Sequence, residues 1–400
     1  MPYSAYIVDC VRTAAGRRNG ALSDYHPADL GGIVLDEIVK RTGIPGDKVD
    51  DVIFGCVSGV GAQAANIGRT SILSSKLIPV SVPGTTVDRQ CGSSQQAIHF
   101  AAQAVMSGVQ NCVIAGGVES MSKVPIGSNI IDGVQSGHGL PFDGKGVAEN
   151  FPGVQLGSQF EGAELLAKKY AISRDELDEF GYQSQVKALK ATEAGRFKNE
   201  IVPIPGKTKS GETITHEKDE GIRPNVSLAK MKKLKPLKED GGVVTAATSS
   251  QIADGASAIL ICNEVGLKEL GLKPRAKIIG LGLAGSDPLI MLEAPIPATE
   301  MAFKQTGLTI DDMDLYEVNE AFAPVPVAWL KALGGDSKKM NVNGGACALG
   351  HPLGATGTKL MTTLVNELEK QGKRYGVQAI CEGGGTGNAT IIEIIPKSTL

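Results

Sequence analysis

The sequence predicts an α/β fold made of two similar halves with an insertion between them. The first observation is a repeat in which four residues recur at a constant offset of 264 positions: Thr42, Gly43, Asp47 and Asp50, then Thr306, Gly307, Asp311 and Asp314. The second is that each copy is followed by a helical apolar stripe and an apolar strand that ends in glycines. The third is composition, because 51 glycines and only 4% aromatic residues suit closely packed α/β layers.

Each copy of the repeat is predicted to lie between a helix and a strand. The apolar periodicity before residues 42 and 306 is typical of a helix, and an Asp-containing turn then leads into a short strand. Further along, the helical stripes fall on residues 97–105 and 360–368, and the strands on 112–115 and 377–380. This alternation is typical of α/β architecture.

The segment between the halves is richer in Gly, Pro and charge, with helix candidates at 164–170 and 174–194. We predict an N-terminal half from residues 1–120 and 245–272, an inserted domain from 121–244, and a C-terminal half from 273–400. Residues 228–242 carry five lysines, which fits either a solvated surface loop or contact with a phosphorylated ligand.

Composition argues against several classes of protein. A net charge of -3 gives no basic excess for binding nucleic acid. No stretch reaches the roughly 18 apolar residues of a membrane helix, and the first residues lack the features of a secretory signal, so we expect a cytoplasmic protein without membrane partners. Seven scattered cysteines without a Cys-x-x-Cys pair suggest neither a disulfide framework nor a metal site.

Cys91 is the candidate for chemistry in the first half. It stands immediately before the helical stripe, where free backbone N–H groups and the helix dipole stabilise a negative charge. We therefore expect the pKa of its thiol to be depressed. Position alone leaves catalysis and inert burial about equally open, so other residues must decide between them.

Three residues of the second half could complete a site with Cys91. His351 precedes the second stripe much as Cys91 precedes the first, so the duplication predicts that the helix starts meet and that imidazole accepts the thiol proton. Cys381 ends a strand ahead of three glycines, where a second thiol, or an inert buried one, meets accessible backbone N–H groups. Asn319 could hold a water or a carbonyl through its amide.

The motifs DRQCGS, NEAFA, GGACALGHPLGATG and CEGGGTGNA, in that order, resemble those of the thiolase family over nearly the whole chain. The resemblance implies duplicated βαβαβ halves in a five-layer αβαβα arrangement with an inserted loop domain. It also implies an acyltransferase that cleaves 3-ketoacyl-CoA with coenzyme A, or runs the reverse condensation, as a homodimer or homotetramer. Coenzyme A would enter as a substrate, with no metal or bound cofactor.

The resemblance also implies residue roles. Cys91 would carry the acyl group as a thioester, His351 would take its proton, and Cys381 would be the second acid/base. His351 and a water held by Asn319 would stabilise the enolate oxygen, while backbone N–H groups of Cys91 and Gly383 would form the other oxyanion hole.

Substrate contacts and departures from the family complete the resemblance. Ser250 matches the serine that touches the pantetheine arm in relatives, and Arg223 the loop-domain arginine near the nucleotide end of coenzyme A. Thr248 replaces a common Asn. Glu382 replaces a commonly apolar residue beside Cys381, and an inward-facing carboxyl could raise the thiol pKa.

The family's substrate range leaves alternatives. Residues 154–164 lack the His-Met pair of acetoacetyl-preferring relatives, which favours thiolysis of 3-ketoacyl-CoA more generally. An acetoacetyl-CoA-specific acetyl-CoA acetyltransferase is the first alternative. A catalytically inactive, lipid-binding thiolase-like protein is the second, although none of its four expected catalytic side chains is missing.

Overall fold

The protein was analysed as a computed structural model that describes residues 2–154, 156–238 and 241–396. Residues 155, 239 and 240 of the predicted insertion, and residues 397–400, lie outside this part. The strands are β1 Ala5–Thr13, β2 Gly16–Arg17, β3 Asp51–Gly55, β4 Gly84–Val87, β5 Cys112–Ser120, β6 Ile201–Val202, β7 Ile204–Lys207, β8 Thr213–His216, β9 Ala253–Cys262, β10 Ala276–Gly285, β11 Leu315–Val318, β12 Tyr375–Glu382 and β13 Thr386–Ile394.

The helices are α1 Pro27–Thr42, α2 Ile67–Ser74, α3 Ser93–Ser107, α4 Ser128–Gln135, α5 Lys145–Asn150, α6 Gln159–Lys169, α7 Arg174–Glu193, α8 Leu228–Met231, α9 Glu264–Glu269, α10 Pro295–Thr306, α11 Pro324–Leu333, α12 Ala346–Leu349 and α13 Thr356–Gln371. The predicted stripes form α3 and α13, and the predicted strands lie in β5 and β12. Alternation of helices and strands is therefore confirmed.

The strands of the two halves follow matching orders on either side of a shared seam. The order is β11-β12-β13-β10 in the C-terminal half and β1-β9-β5-β3-β4 in the N-terminal half, with β10 and β1 hydrogen-bonded to each other. Strands β3 and β5 are parallel, as are β11 and β12. Strands β9 and β13 run antiparallel to their neighbours in this order. The halves thus share one topology.

Five layers result from the way the helices cover these strands. Helices α3 and α13 contact each other and strands of both halves, so they form the middle layer. Helix α1 covers the outer face of the N-terminal sheet, together with α2, and α10 covers that of the C-terminal sheet, where α11 packs beside it. Separate apolar cores fill the spaces between the layers. The αβαβα arrangement is confirmed.

The sequence repeat has the same structure in both copies. Helices α1 and α10 each end at a glycine with φ of 71°, Gly43 or Gly307, whose N–H caps the last turn. The Oδ2 atom of Asp50 accepts the N–H groups of residues 111 and 112, at 2.6 and 2.9 Å. Asp314 Oδ2 accepts those of residues 374 and 375, at 2.9 and 3.0 Å. We call these two contacts the aspartate clamps, because each ties the repeat to the start of β5 or β12.

The segment between β5 and β9 carries α4–α8 and β6–β8. Strand β6 pairs with β1 of the N-terminal half, so the segment is anchored to the core. Its treatment as a separate domain from 121 to 244 stays a prediction. In the described residues, no helix combines the length and the apolar character needed to cross a membrane.

Candidate active site

Cys91 lies in a tight turn that leads into α3. Gln90 has a φ of 48°, in the left-handed region that side-chain-bearing residues rarely adopt, and its N–H donates to Asp88 Oδ1 at 2.8 Å. Cys91 is only 5% exposed and packs in a small apolar cluster with Val57, Met121, Leu353, Leu360 and Ile380. This cluster brings together chain segments next to Cys91, His351 and Cys381.

The expected depression of the Cys91 pKa is wrong. Burial in the apolar cluster raises the pKa of the thiol to about 12, and the Glu382 carboxyl adds to the rise. The backbone N–H at the helix start lowers it by less. The sequence places Cys91 at a helix start but does not show how fully neighbouring side chains exclude water. Because its pKa is raised, the thiol is protonated at rest.

His351 is held as a neutral base. Its Nδ1 lies 2.6 Å from Thr356 Oγ1, and that hydroxyl donates its hydrogen to the Pro352 carbonyl at 2.8 Å. Since the hydroxyl hydrogen is committed, Nδ1 must be the protonated ring nitrogen and Nε2 carries the lone pair. Burial and the positive charge of Lys359 lower the pKa of His351 to about 3, so the imidazole is neutral.

The starts of α3 and α13 meet, as the duplication predicts. A Cβ on Gly357, in the first turn of α13, would lie 2.0 Å from the backbone nitrogen of Gln95 in α3, so only glycine permits this contact. Ser94 Oγ also accepts the Thr358 N–H at 3.1 Å. Cys91 and His351 therefore approach the contact between α3 and α13 from opposite halves.

Asn319 and Cys381 reach the site from neighbouring parallel strands. Asn319 follows β11, and its N–H donates to the carbonyl of Ala379 in β12, two residues before Cys381. The Asn319 Nδ2 atom lies 3.3 Å from His351 Nε2, and its Oδ1 is buried without a protein partner. Such an atom requires a ligand or a water, as the sequence suggests.

Cys381 is completely buried, and burial together with the nearby Cys91 raises the pKa of its thiol well above the ordinary value. Ile380, the residue before Cys381, packs in the same apolar cluster as Cys91, so the two thiols lie in one site. Gly383 opens the turn after β12 and lies against Gln90, so the backbone N–H groups of Cys91 and Gly383 belong to adjacent segments.

The departure at Glu382 faces inward. Its side chain has no exposed surface, and Oε2 accepts the Thr386 hydroxyl at 2.7 Å. Oε1 has no partner and packs so closely on Gly92 that a Cβ there would lie 2.0 Å from it. Burial raises the pKa of Glu382 to about 8. Thr248, the other departure, is buried and hydrogen-bonds within its own turn to Thr245.

Two buried glutamates that the sequence did not single out organise the site's loops. Glu119, at the end of β5, accepts N–H groups from Val57, Ser58 and Gly354 at 2.9–3.0 Å. Glu320, next to Asn319, accepts from Ser184, Asn341 and Cys347 at 2.6–3.0 Å. The position of Glu320 as the charged residue within NEAFA could have identified it from the sequence. Glu119, near the end of a strand, gives no such indication of its partners.

Ser250 lies beside the NEAFA segment, and Arg223 lies in the wall of a cavity. Ser250 is half-buried, and its N–H donates to Ala321 within NEAFA at 2.9 Å. Arg223 lines a cavity of about 290 Å³ together with Gln185, Ser227, Lys230, Ala247, Gln251 and Cys347. Gln251 links this cavity to the site, because its carbonyl accepts the His351 N–H at 3.0 Å.

Comparisons with known proteins agree with this geometry. Residues 5–265 match the family model described as thiolase, N-terminal domain, and residues 272–394 match thiolase, C-terminal domain. A steroid 3-ketoacyl-CoA thiolase of Mycobacterium tuberculosis is 52% identical over 97% of this chain and 94% of that protein. An acetyl-CoA acetyltransferase of Syntrophomonas wolfei is 39% identical over 99% and 100% of the two chains.

Among solved structures, the Bacillus anthracis acetyl-CoA acetyltransferase matches with a TM-score of 0.88 and 37% identity, over 98% of this chain and 99% of that one. Two family models cover both halves, and the relatives align from end to end. With a matching topology and four candidate catalytic side chains that converge between the two halves, this chain belongs to the thiolase family.

Proposed function

We propose that the protein cleaves 3-ketoacyl-CoA with coenzyme A, giving acetyl-CoA and a shortened acyl-CoA, through an acyl-enzyme on Cys91. The observation that carries the proposal is the convergence of two thiols, Cys91 and Cys381, with a neutral imidazole whose Nε2 carries the lone pair that can accept a proton. Breaking a carbon–carbon bond beside a thioester needs a nucleophile, a base and a second acid, and this site offers one of each.

The raised pKa of Cys91 decides how the first step proceeds. A protonated thiol is a weak nucleophile, so its proton passes to His351 Nε2 as sulfur attacks the 3-keto carbon. The bond between C2 and C3 then breaks, leaving the acyl group on Cys91 and an acetyl-CoA enolate. The Cys381 thiol protonates C2 of the enolate and becomes a thiolate.

The second step regenerates both thiols. Coenzyme A gives its thiol proton to the Cys381 thiolate and attacks the thioester, and the acyl group leaves on coenzyme A. The Cys91 thiolate regains its proton from His351. His351 and a water on Asn319 Oδ1 would bind the enolate oxygen, while the N–H groups of Cys91 and Gly383 would bind the tetrahedral intermediate's oxyanion.

The cavity beside Gln251 is the proposed binding site for coenzyme A. Arg223 and Lys230 bring positive charge to its walls and suit the phosphates at the nucleotide end, and Ser250 directly precedes Gln251 of the cavity wall. Lys230 belongs to the lysine run at 228–242, so part of that run would contact a phosphorylated ligand. We further propose that the protein is cytoplasmic and forms a homodimer or a homotetramer. Light scattering of the purified protein tests the oligomeric state.

The test is a thiolysis assay that follows loss of enolate absorbance, with acetoacetyl-CoA, longer 3-ketoacyl-CoAs and a steroid side-chain 3-ketoacyl-CoA. The last substrate is included because the Mycobacterium tuberculosis relative is named a steroid 3-ketoacyl-CoA thiolase. We expect Cys91→Ala and Cys381→Ala each to lower kcat on the order of a thousandfold. Cys112→Ala removes an equally buried thiol from the outer core and should retain activity.

The substrate series separates the alternatives. Turnover restricted to acetoacetyl-CoA would favour the acetyl-CoA acetyltransferase, and the preferred chain length identifies the substrate class. A folded protein that turned over no substrate would overturn the proposal and leave the inactive lipid-binding protein.

A further inference from the structure

Lys359 is a buried cation beneath the catalytic loop. It lies in the second turn of α13 and is only 4% exposed. Its Nζ donates to the carbonyl oxygens of Gly350 at 3.0 Å and Leu349 at 3.3 Å. These are the two residues directly before His351, and Gly350 has a φ of 78° and a ψ of 160°, a conformation that needs glycine. The lysine thus holds the turn that delivers the imidazole.

The charges around Lys359 come from several parts of the fold. Arg12 of β1, Glu200, Asp219 of the inserted segment and Glu317 of β11 all act on it. Arg12 is itself bound to Glu200 at 2.7 Å and to Asp219 at 2.8 Å. Burial, with the repulsion of Arg12, lowers the pKa of Lys359 to about 8 despite these carboxylates.

Burying an ammonium group is costly, and an apolar side chain of similar length could fill the space. The hydrogen bonds and the charge therefore point to a role that packing does not require. Among the described residues, Lys359 is the charged group that acts on His351, and it adds to the effect of burial in keeping the imidazole unprotonated.

We propose that Lys359 is a positioning residue: its ammonium group fixes the turn that aims His351 at the Cys91 proton, and its charge keeps the imidazole unprotonated until that proton is transferred. The inference rests on the proposed function, since it assigns His351 as the base. It makes the buried charge cluster part of the reaction's machinery instead of a structural ion-pair network alone.

Three variants separate hydrogen bonding from charge. Lys359→Arg keeps both, Lys359→Gln keeps a donor without the charge, and Lys359→Met keeps neither. Lys187→Gln is the matched control, because Lys187 is half-buried and also donates to a backbone carbonyl, that of Met340, at 2.8 Å. Thermal unfolding of each variant reports its folding, so the Gln and Arg variants decide the matter if the Met variant does not fold.

Thiolysis and alkylation of Cys91 by iodoacetamide are both measured against pH. We expect Lys359→Met to lower kcat on the order of tenfold to a hundredfold, with the KM for coenzyme A changed less than twofold. In Lys359→Gln, loss of the positive charge raises the pKa of His351, so the acid limb of both profiles moves to higher pH. Lys359→Arg and Lys187→Gln should keep the wild-type profile.

Wild-type kcat and an unmoved acid limb in every folded variant that lacks the charge would overturn the inference, as would an equal loss in Lys187→Gln. The alkylation arm does not need turnover. If the wild-type protein cleaved no substrate while the limb of Cys91 alkylation still moved in Lys359→Gln, the proposed function would fail and the action of Lys359 on His351 would stand.

Discussion

Glu382 adds an ionisable carboxyl group to this active site, beside the two thiols. Its carboxyl is buried, with one oxygen unpartnered against Gly92, and it raises the pKa of Cys91 and of Cys381 when ionised. With a pKa of about 8, Glu382 is largely neutral at neutral pH and becomes anionic in mild alkali. The charge next to the nucleophile therefore changes within the range where enzymes are assayed.

Glu382→Gln should make Cys91 more reactive in alkali. Above about pH 8 the wild-type carboxylate opposes formation of the thiolate, and glutamine of the same shape removes that charge. We expect alkylation by iodoacetamide at pH 9 to be faster by roughly tenfold, the effect of about one pKa unit. At pH 7, where the carboxyl is mostly protonated, the two rates should be similar.

Glu393→Gln provides the control for this experiment, because Glu393 lies on the same hairpin but is paired with Arg374 near the surface. Its alkylation rates should equal those of the wild type at both pH values. Equal rates for Glu382→Gln and the wild type at pH 9 would show that the carboxyl does not act on the nucleophile.

The sequence predicted which side chains meet but not their ionisation. The duplication predicted that Cys91 and His351 meet, and the family resemblance added Asn319 and Cys381. The direction of the shift in the Cys91 pKa was predicted wrongly, since desolvation depends on apolar neighbours such as Ile380 and Leu353 that are distant in sequence. Lys359 was missed for a related reason, because a lysine in a helix normally faces solvent.

Among the elements, the aspartate clamps show what the repeat conserves between the halves. Each clamp joins the turn after α1 or α10 to the start of β5 or β12. In the sheet, β5 and β12 are the parallel neighbours of β3 and β11, the strands that directly follow the clamped turns. The turn thereby sets where the strand begins, and both strands lead towards the active-site seam. Each half has its own copy of this contact.

Asp50→Ala and Asp314→Ala should each destabilise the protein by about 1–3 kcal/mol, because two backbone N–H groups lose a charged acceptor. Urea unfolding measures the change. The repeat supplies matched controls, since Asp47 and Asp311 recur at the same offset while the N–H groups of the clamps bond to Asp50 and Asp314. Asp47→Ala and Asp311→Ala should change stability by less than about 0.5 kcal/mol. Equal losses at all four positions would contradict the role of the clamps.

Gln251 joins the proposed coenzyme A cavity to the catalytic loop. Its Nε2 donates to the carbonyls of Gly221 and Cys347, each at 2.8 Å, while its own carbonyl holds the His351 N–H. Gln251→Ala keeps the backbone carbonyl but removes the side-chain hydrogen bonds to Gly221 and Cys347 that fix the segment carrying it. The variant should therefore raise the KM for coenzyme A and lower kcat, each by roughly tenfold. A rise in KM with unchanged kcat would limit the residue to ligand binding.

Elements with a buried face were predictable, and exposed elements were not. The stripes of α3 and α13 have helical periodicity because one side packs in the core. Helices α4 and α5 have no buried residues, so burial leaves no such pattern in their sequences. Helix α7 was predicted almost to its ends, with a capping box at Ser173 and Glu176 marking its start.

In the whole molecule, the candidate active site depends on contact between the halves. The proposed nucleophile belongs to one half, and the proposed base, the second thiol and Asn319 belong to the other. Activity should therefore be lost at or below the urea concentration that exposes Trp329, which lies in the outer core of the C-terminal half and is the chain's single tryptophan. Activity that persisted after the Trp329 fluorescence transition would show that the site survives loss of that core.

The seam itself preserves a symmetry. Strands β1 and β10 occupy equivalent places in the two strand orders, and they pair antiparallel as Ala5 with Ile278, Tyr6 with Lys277 and Ile7 with Ala276. Counted from the start of each strand, the first residue meets the third and the second meets the second, which is the register of a two-fold axis. An isologous dimer of identical halves makes such a contact. Covalent linkage of two such halves frees each copy to diverge, and so one can keep a nucleophile while the other acquires its base.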